Sequence, residues 1–297
     1  MDSNDIYLSM MLLSNSRTPY RALAEKLNLS VNAVHKRVQT LIDQGIIREF
    51  IARPGFAATG ALIALLHGAT EKKPEKLMHE LSEHKSIYWL SAASGGYLYI
   101  GTYLRTLQEL NPLLEFVQVK TGINELKTSI IGEIPGFTQE PLDTLDYQII
   151  NSLSKDSRKP VAEVAFELGL SVKTIRKRLN AMIINSTIEL TINWYPDAAN
   201  DIVSMTHIKT KQGSNLDENT LKKDFNPSLI MIFQPINATR EFLCITWSPT
   251  MKEMRTLTER IRADPRIESA TPNILYMGWL FNTWRDQISA EKILKAN

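Results

Sequence analysis

Ser30-Val31-Asn32-Ala33-Val34-His35-Lys36-Arg37-Val38-Gln39-Thr40-Leu41-Ile42-Asp43-Gln44-Gly45-Ile46-Ile47 is the stretch whose reading decides the fold. Ser30 has the hydroxyl of a good N-cap, able to take an orphan backbone N–H of the first turn. Val31, Val34, Val38, Leu41 and Ile42 fall on one face at helical spacing, and Asn32, His35, Lys36, Gln39 and Asp43 fall on the other. Gly45 is placed to end the helix in a left-handed conformation, and Ile46 to Ile51 reads as a short strand or wing. Just upstream, Thr18 as N-cap with Pro19 at the first helical position starts another helix that runs to Leu27. Only Asn28-Leu29 separates the two. Two helices with so short a turn, the second polar on its outer face, read as a helix-turn-helix.

Working outward, the stretch occurs twice. Ser157-Arg158-Lys159-Pro160 repeats Ser16-Arg17-Thr18-Pro19, Leu168-Gly169-Leu170-Ser171-Val172 repeats Leu27-Asn28-Leu29-Ser30-Val31, and Lys177-Arg178 repeats Lys36-Arg37. A gapless register that holds a proline, an N-cap and a Lys-Arg pair marks an internal duplication. After each head the texture changes to short apolar runs alternating with amphipathic segments. In the first copy these are Ala61 to Leu66, Pro74 to His84, Ile87 to Ala93, Tyr97 to Tyr103, Thr106 to Lys120 (with Pro112 inside) and Ile123 to Ile131. The order strand, helix, strand, strand, helix, strand is the ferredoxin-like arrangement. The second copy repeats it from Ile202 to Met277, with a longer hairpin turn at Asn237 to Arg240.

The expected fold class is α+β: two winged helix-turn-helix domains (1–53 and 135–195) and two ferredoxin-like βαββαβ domains (54–134 and 196–281) as a tandem duplication. Arg53-Pro54-Gly55 reads as a hinge and Ile134-Pro135-Gly136-Phe137 as the central linker. Residues 282–297 form a helical extension that Trp279, Phe281 and Trp284 are expected to pack onto the sheet.

At 297 residues, with 43% apolar and 22% charged residues, the chain is long enough for several hydrophobic cores. A net charge of +2 makes any nucleic-acid surface local. The single cysteine, Cys244, excludes an internal disulfide and suits a reducing cytoplasm. The acidic start is not a signal peptide, and no apolar run reaches membrane-spanning length, so no membrane partner is expected. None of the five histidines pairs with another ligand at metal spacing, and no phosphate-binding glycine loop occurs. Neither metal nor cofactor is expected, nor enzyme chemistry.

The residues suited to DNA are Ser30, Asn32, His35, Lys36, Arg37 and Gln39 in the first head, and Ser171, Lys173, Thr174, Arg176, Lys177, Arg178 and Asn180 in the second. Arg and Lys read guanine acceptors; Asn and Gln pair with adenine. Arg37 and Arg178 have other readings, as braces of the fold or as phosphate contacts. Arg17, Thr18, Arg158 and Lys159 are the phosphate candidates.

Leu142-Asp143-Thr144-Leu145-Asp146-Tyr147-Gln148-Ile149-Ile150 and the set Ser30, Val34, Arg37, Val38, Leu41, Gly45, Ile46 resemble the opening and the recognition-helix signature of the leucine-responsive regulatory protein/AsnC family of transcription regulators. Ser94-Gly95-Gly96-Tyr97-Leu98-Tyr99 resembles the Gly-Asp-Tyr-Asp turn of that family's effector domain, with both acidic positions lost. The resemblance implies double-stranded DNA as partner and self-association through the ferredoxin-like domains. It also implies an effector turn at Ser94, Gly95, Gly96 and Tyr97. Family members usually carry one head and one ferredoxin-like domain; here both are fused twice. Ser186 replaces the helix-ending glycine in the second copy, which puts its wing in question. Two rival readings exist. Sirohaem decarboxylases resemble the same regulators in fold; they would need basic and histidine residues lining a tetrapyrrole pocket, and here strands one and two offer His67, Trp89, His207 and little else charged. A DNA-free scaffold is the other.

Overall fold

Helix α1 (Ser3–Ser14) opens the chain, and the reading of the first head holds with shifts at the element ends. The computed structural model describes residues 1–131 and 141–296; the expected linker Ile134-Pro135-Gly136-Phe137 lies outside them. The chain divides into two compact units, one built from both ferredoxin-like halves and one from both heads.

In the head unit, α2 (Tyr20–Leu27) and α3 (Val31–Asp43) form the first helix-turn-helix, and α8 (Val161–Glu167) and α9 (Val172–Ile184) the second, behind α7 (Thr144–Leu153). The turn between paired helices needs one left-handed residue, supplied by Asn28 (φ 53°) and Gly169 (φ 66°). Pro19, not Thr18, is the N-cap of α2; the Thr18 hydroxyl instead donates to the Asn15 carbonyl at 2.7 Å. Val34, Val38 and Leu41 are buried and Ile42 half-buried, but Val31, in the first turn of α3, is exposed. Each fully buried aliphatic side chain contributes about 1.5–3 kcal/mol.

Both heads end in a strand, β1 (Ile47–Pro54) and β6 (Ile188–Trp194), and these pair antiparallel with each other from Ile47↔Trp194 to Pro54↔Ile188. A lone strand would leave its ladder groups unpaired, so each copy supplies the other's partner. Arg53 and Pro54 thus lie inside a strand, and the expected hinge is absent there. Gly55 packs so closely on the second copy that an added Cβ would land on the Ser186 carbonyl oxygen. Gly45 ends α3 at φ 72°, and Ser186 takes the same left-handed conformation at φ 55°. The second wing therefore forms without a glycine. A short helix, α4 (Phe56–Thr59), follows β1. The last helix, α12 (Trp284–Ala296), lies against α7 and β1, with Trp284 buried. It belongs to the heads; the expectation that it packs on the sheet is corrected. Trp279, in a strand, and Phe281, just past its end, do pack on the ferredoxin-like core.

In the other unit the first half runs β2 (Leu62–Ala69), α5 (Pro74–Ser82), β3 (Ile87–Ala93), β4 (Tyr97–Leu104), α6 (Leu110–Thr121) and β5 (Lys127–Ile131). Pro112 sits in the first turn of α6, where a missing N–H costs nothing, so the helix is not split there. The second half runs β7 (Ile202–Thr210), α10 (Glu218–Phe225), β8 (Leu229–Phe233), β9 (Glu241–Ser248), α11 (Met251–Ala263) and β10 (Ile267–Leu280). One eight-stranded sheet results, in the order β5-β2-β4-β3-β10-β7-β9-β8. The halves join edge to edge because β10 outruns its counterpart β5 and pairs with β3 from Leu275↔Ala93 to Leu280↔Trp89. One face carries the helices over two separate cores, Leu66, Leu77, Ile100 and Val117 in one and Ile208, Leu221, Phe242 and Ile261 in the other. The opposite edges also meet, through an Ile131↔Pro235 bridge and the Ile236 N–H donating to Ile130 O at 2.8 Å. The sheet is curled, and its helix-free face is an interior.

Candidate nucleic-acid interface

Ser30 and Ser171 start the recognition helices α3 and α9 in the same way. Ser30 Oγ accepts the Ala33 N–H and Ser171 Oγ the Thr174 N–H, each at 3.1 Å. The Thr174 hydroxyl closes on Ser171 Oγ at 2.8 Å, so this pair orders the helix start. On α3, Asn32, His35, Lys36 and Gln39 are exposed together and, with Thr40 and Asp43, line one shallow hollow. Gln39 Nε2 donates to Asp43 Oδ1 at 2.8 Å, which holds the amide. On α9, Lys173, Arg176, Lys177 and Asn180 are exposed. The first face is a mixed donor-acceptor surface and the second is basic. The first suits base edges and the second phosphates.

Arg178 pairs with the acids at the start of α7. Its Nη1 lies 2.7 Å from Asp143 Oδ2 and 3.5 Å from Asp146 Oδ2. Those carboxylates form the capping box of α7, each accepting the other's backbone N–H. Burial pushes the Asp146 carboxyl up, while at Asp143 the Asp146 N–H and Arg178 outweigh burial and hold it down. Arg37, at the corresponding place in α3, is likewise half-buried.

The phosphate candidates are corrected. Arg17 Nη1 donates to the carbonyls of Ser157 (2.5 Å) and Lys159 (2.9 Å), and Arg158 donates to those of Ser16 (2.6 Å) and Thr18 (2.8 Å). Lys159 Nζ is 2.8 and 3.1 Å from the two carboxylate oxygens of Glu167. Burial lowers both arginine pKa values, the mark of guanidinia taken out of water. They tie one head to the other.

Ser94–Gly96 forms a tight 3-10 turn between β3 and β4. Of the four effector-turn residues, Tyr97 reaches the sheet interior: its hydroxyl is 2.8 Å from His67 Nδ1. Beside it Tyr99 Oη is 2.6 Å from His207 Nε2 and accepts from Asn273 Nδ2 at 2.6 Å. The His67 and His207 rings stand edge to face, centroids 5.1 Å apart. Four strand steps separate β2 from β7, about 19 Å in a flat sheet, so curling alone brings them together. Burial lowers His67 to about 3, with His207 and Lys127 adding to it, and lowers His207 to about 4, with Lys127 adding. Both imidazoles are therefore neutral at pH 7. Sequence reasoning named His67 and His207 but missed Tyr99 and Asn273. The available signal was that β2 and β7 each carry a histidine at their sixth residue. Burial pushes the Cys244 thiol up, as fits a core residue. Among the described residues no group of three His, Cys, Asp or Glu could hold a metal ion. No helix among them is long and apolar enough to cross a membrane.

Comparison with known proteins follows the same division. Residues 11–48 match a winged helix-turn-helix DNA-binding family, and residues 142–183 match the AsnC-type helix-turn-helix domain. The HTH-type transcriptional regulator LrpA of Pyrococcus horikoshii is 31% identical over 101 residues, covering 33% of this chain and 71% of that protein. Another HTH-type transcriptional regulator of the same organism is 25% identical over 137 residues, which is 45% of this chain and 93% of that protein. A nearly whole relative thus matches less than half of this chain, as a duplication requires. Among solved structures, the siroheme decarboxylase NirDL aligns over 99% of both chains with a TM-score of 0.58 at 11% identity, a likeness of fold. With two helix-turn-helix heads of this type in tandem, each followed by a ferredoxin-like half, the chain belongs to the Lrp/AsnC family of transcriptional regulators, as an internally duplicated member.

Proposed function

We propose that this regulator is cytoplasmic and sequence-specific, and that it engages one operator with both heads of a single chain. The assembly that two ordinary family members make is then an intramolecular pseudo-dimer. Residues 1–53 and 135–195 act as the heads, 54–134 and 196–281 as the joined effector-type halves, and 282–297 as a support of the heads. One observation carries the reading: two capped recognition helices, exposed and polar outward, sit in one unit whose wings are a single ribbon. The contacts are Asn32, His35, Lys36 and Gln39 in one half-site, and Lys173, Arg176, Lys177 and Asn180 in the other. Amides at the helix starts beside Ser30 and Ser171 supply phosphate donors.

Selection of duplexes from a random pool, then footprinting and sedimentation of the complex, tests it. One chain per footprint is expected, over an imperfect palindrome whose half-sites lie about one helical turn, roughly 34 Å, apart. Strictly symmetric selected sites, or two chains per footprint, count against it.

A second reading, action on a tetrapyrrole of the kind NirDL is named for, is favoured by the meeting of His67 and His207 in the sheet interior. Against it, both imidazoles already hydrogen-bond to phenols within that interior. A stoichiometric Soret band on adding sirohaem, with no duplex binding, would replace the main reading.

A further inference from the structure

The seam between the heads was built twice by the duplication, and its two copies differ in their aromatic contacts. Ser16 and Ser157 face each other fully buried, hydroxyl to hydroxyl at 2.6 Å. Around them Arg17 reaches the carbonyls of Ser157 and Lys159, and Arg158 those of Ser16 and Thr18. The backbone repeats the exchange: the Ser16 N–H donates to Leu190 O at 3.0 Å and the Ser157 N–H to Phe50 O at 2.8 Å. The difference lies on the far side of the guanidinium. Arg158 stands between two rings, 4.4 Å from the centroid of Tyr20 and 5.2 Å from that of Phe50, and Tyr20 is the one that reaches the recognition helix. The edge of that ring meets His35 at 5.3 Å and 82°, and His35 projects from the outer face of α3. At the offset of 141 that relates Ser16 to Ser157, Tyr20 corresponds to Val161 and His35 to Arg176. Among the described residues the second copy offers Arg17 no ring, and its recognition helix has no such contact.

We propose that Arg158 and Tyr20 form a one-sided positioning relay, through which the second head sets the placement of His35 and so the base preference of the half-site read by the first. The inference rests on the DNA-binding reading above. An exposed imidazole samples several rotamers. A ring packed on one side, itself held by a planar guanidinium, narrows that choice. Base-edge recognition needs placement to about 0.5 Å. The coupling is mutual in free energy; it is one-sided because only α3 carries the aromatic contact.

The test uses the full chain. Tyr20→Val installs the residue of the second copy, and Tyr20→Phe keeps the ring. In duplex selection, Tyr20→Val is expected to relax the first half-site preference about 5–10-fold, within what one base contact supplies. The second half-site and affinity for random duplex should stay unchanged, and Tyr20→Phe should keep the wild-type preference. His35→Ala added to Tyr20→Val should cause no further loss. Equal loss on specific and random duplex, or an unchanged first half-site, overturns the relay. Without DNA, Arg158→Gln should shift the His35 imidazole NMR resonances and leave those of His84 in place; Arg158→Lys, which keeps a donor but no planar face, should do the same. His35 resonances unmoved by both variants overturn the relay. Wild-type chain that binds no duplex removes the DNA-binding reading instead, while the NMR result still decides the contact.

Discussion

His67 and His207 are the two histidines whose chemistry is most altered by their surroundings. Both are bases held below their ordinary value of 6.5 chiefly by burial, His67 at about 3 and His207 at about 4. The unfolded chain takes their protons first. Stability is therefore complete above pH 6.5 and is lost as pH falls toward 4 and then 3. Carboxylates act lower: at Glu189 burial raises the pKa, but Arg53 and Arg285 outweigh it and hold it at about 2. Between pH 6.5 and 5 the histidines dominate. The two sites together lose about 3 kcal/mol over that interval, so the melting temperature of the ferredoxin-like unit should drop by roughly 6–12 °C, on the scale of 2–4 °C per kcal/mol for a unit of this size. The double substitution His67→Asn, His207→Gln should flatten the drop; an equal drop in both proteins would show that the histidines do not cause it. The effector turn makes a second prediction at this scale. Where the family's turn is acidic, this chain has Gly96 and Leu98. A buried ammonium without a counter-charge is costly, so free amino acids at micromolar concentration should leave the melting temperature unchanged. A rise of several degrees with a leucine-like ligand would refute this.

At the scale of elements, the shared ribbon of β1 and β6 sets the tolerance of the head unit to mutation. Gly55 follows β1 where the second copy's backbone crosses, its N–H donating to Thr187 O at 2.8 Å. Gly55→Ala pushes a methyl into the Ser186 carbonyl, and because both sides are backbone the ribbon must give. The expected loss is about 1–3 kcal/mol, the usual cost of overpacking, read as a lower urea midpoint. An unchanged midpoint would mean that the ribbon shifts freely. Why some elements were legible and others not is visible here. α3 and α9 announce themselves through an N-cap and a 3.6-residue apolar period, and α3 also through its glycine stop, all local in the chain. So did every strand of the ferredoxin-like halves, within a few residues. The partner of β1 was not legible, since nothing in Ile47–Pro54 says which strand it pairs with. The place of α12 was missed for a like reason: Trp284 and Arg285 look like any amphipathic start, and only the fold reveals Arg285 buried against Glu189 (2.7 Å) and the Phe56 ring (3.9 Å). Arg17 and Arg158 misled because an exposed-looking arginine beside a recognition helix and one that grips a carbonyl across a seam have the same sequence.

Across the whole molecule, duplication lets two copies diverge while remaining in one chain, and the recognition helices show how far they have done so. With Arg178 held by Asp143 and Asp146, α9 still presents Lys173, Arg176 and Lys177, and no acid. On α3, Lys36 faces outward beside Asp43, and Gln39 is steadied by that carboxylate. Each phosphate neutralised contributes about 0.9 to the slope of log affinity against log salt. The second head should therefore supply most of the salt-sensitive affinity, and the first most of the discrimination. Arg176→Ala with Lys177→Ala is expected to weaken binding to operator and random duplex alike and to flatten the salt slope by up to about 2. Asn32→Ala with Gln39→Ala should spare random duplex and cut the preference for the operator by about 1–3 kcal/mol per lost bidentate contact. The competing outcome is sharp. If the charges on α9 serve the fold or another chain, the Arg176/Lys177 variant keeps both its affinity and its salt slope, and the division of labour is wrong. If both heads read bases equally, that variant loses operator preference as well as affinity, and the loss on operator exceeds the loss on random duplex. Titration of both variants at two salt concentrations separates the three cases.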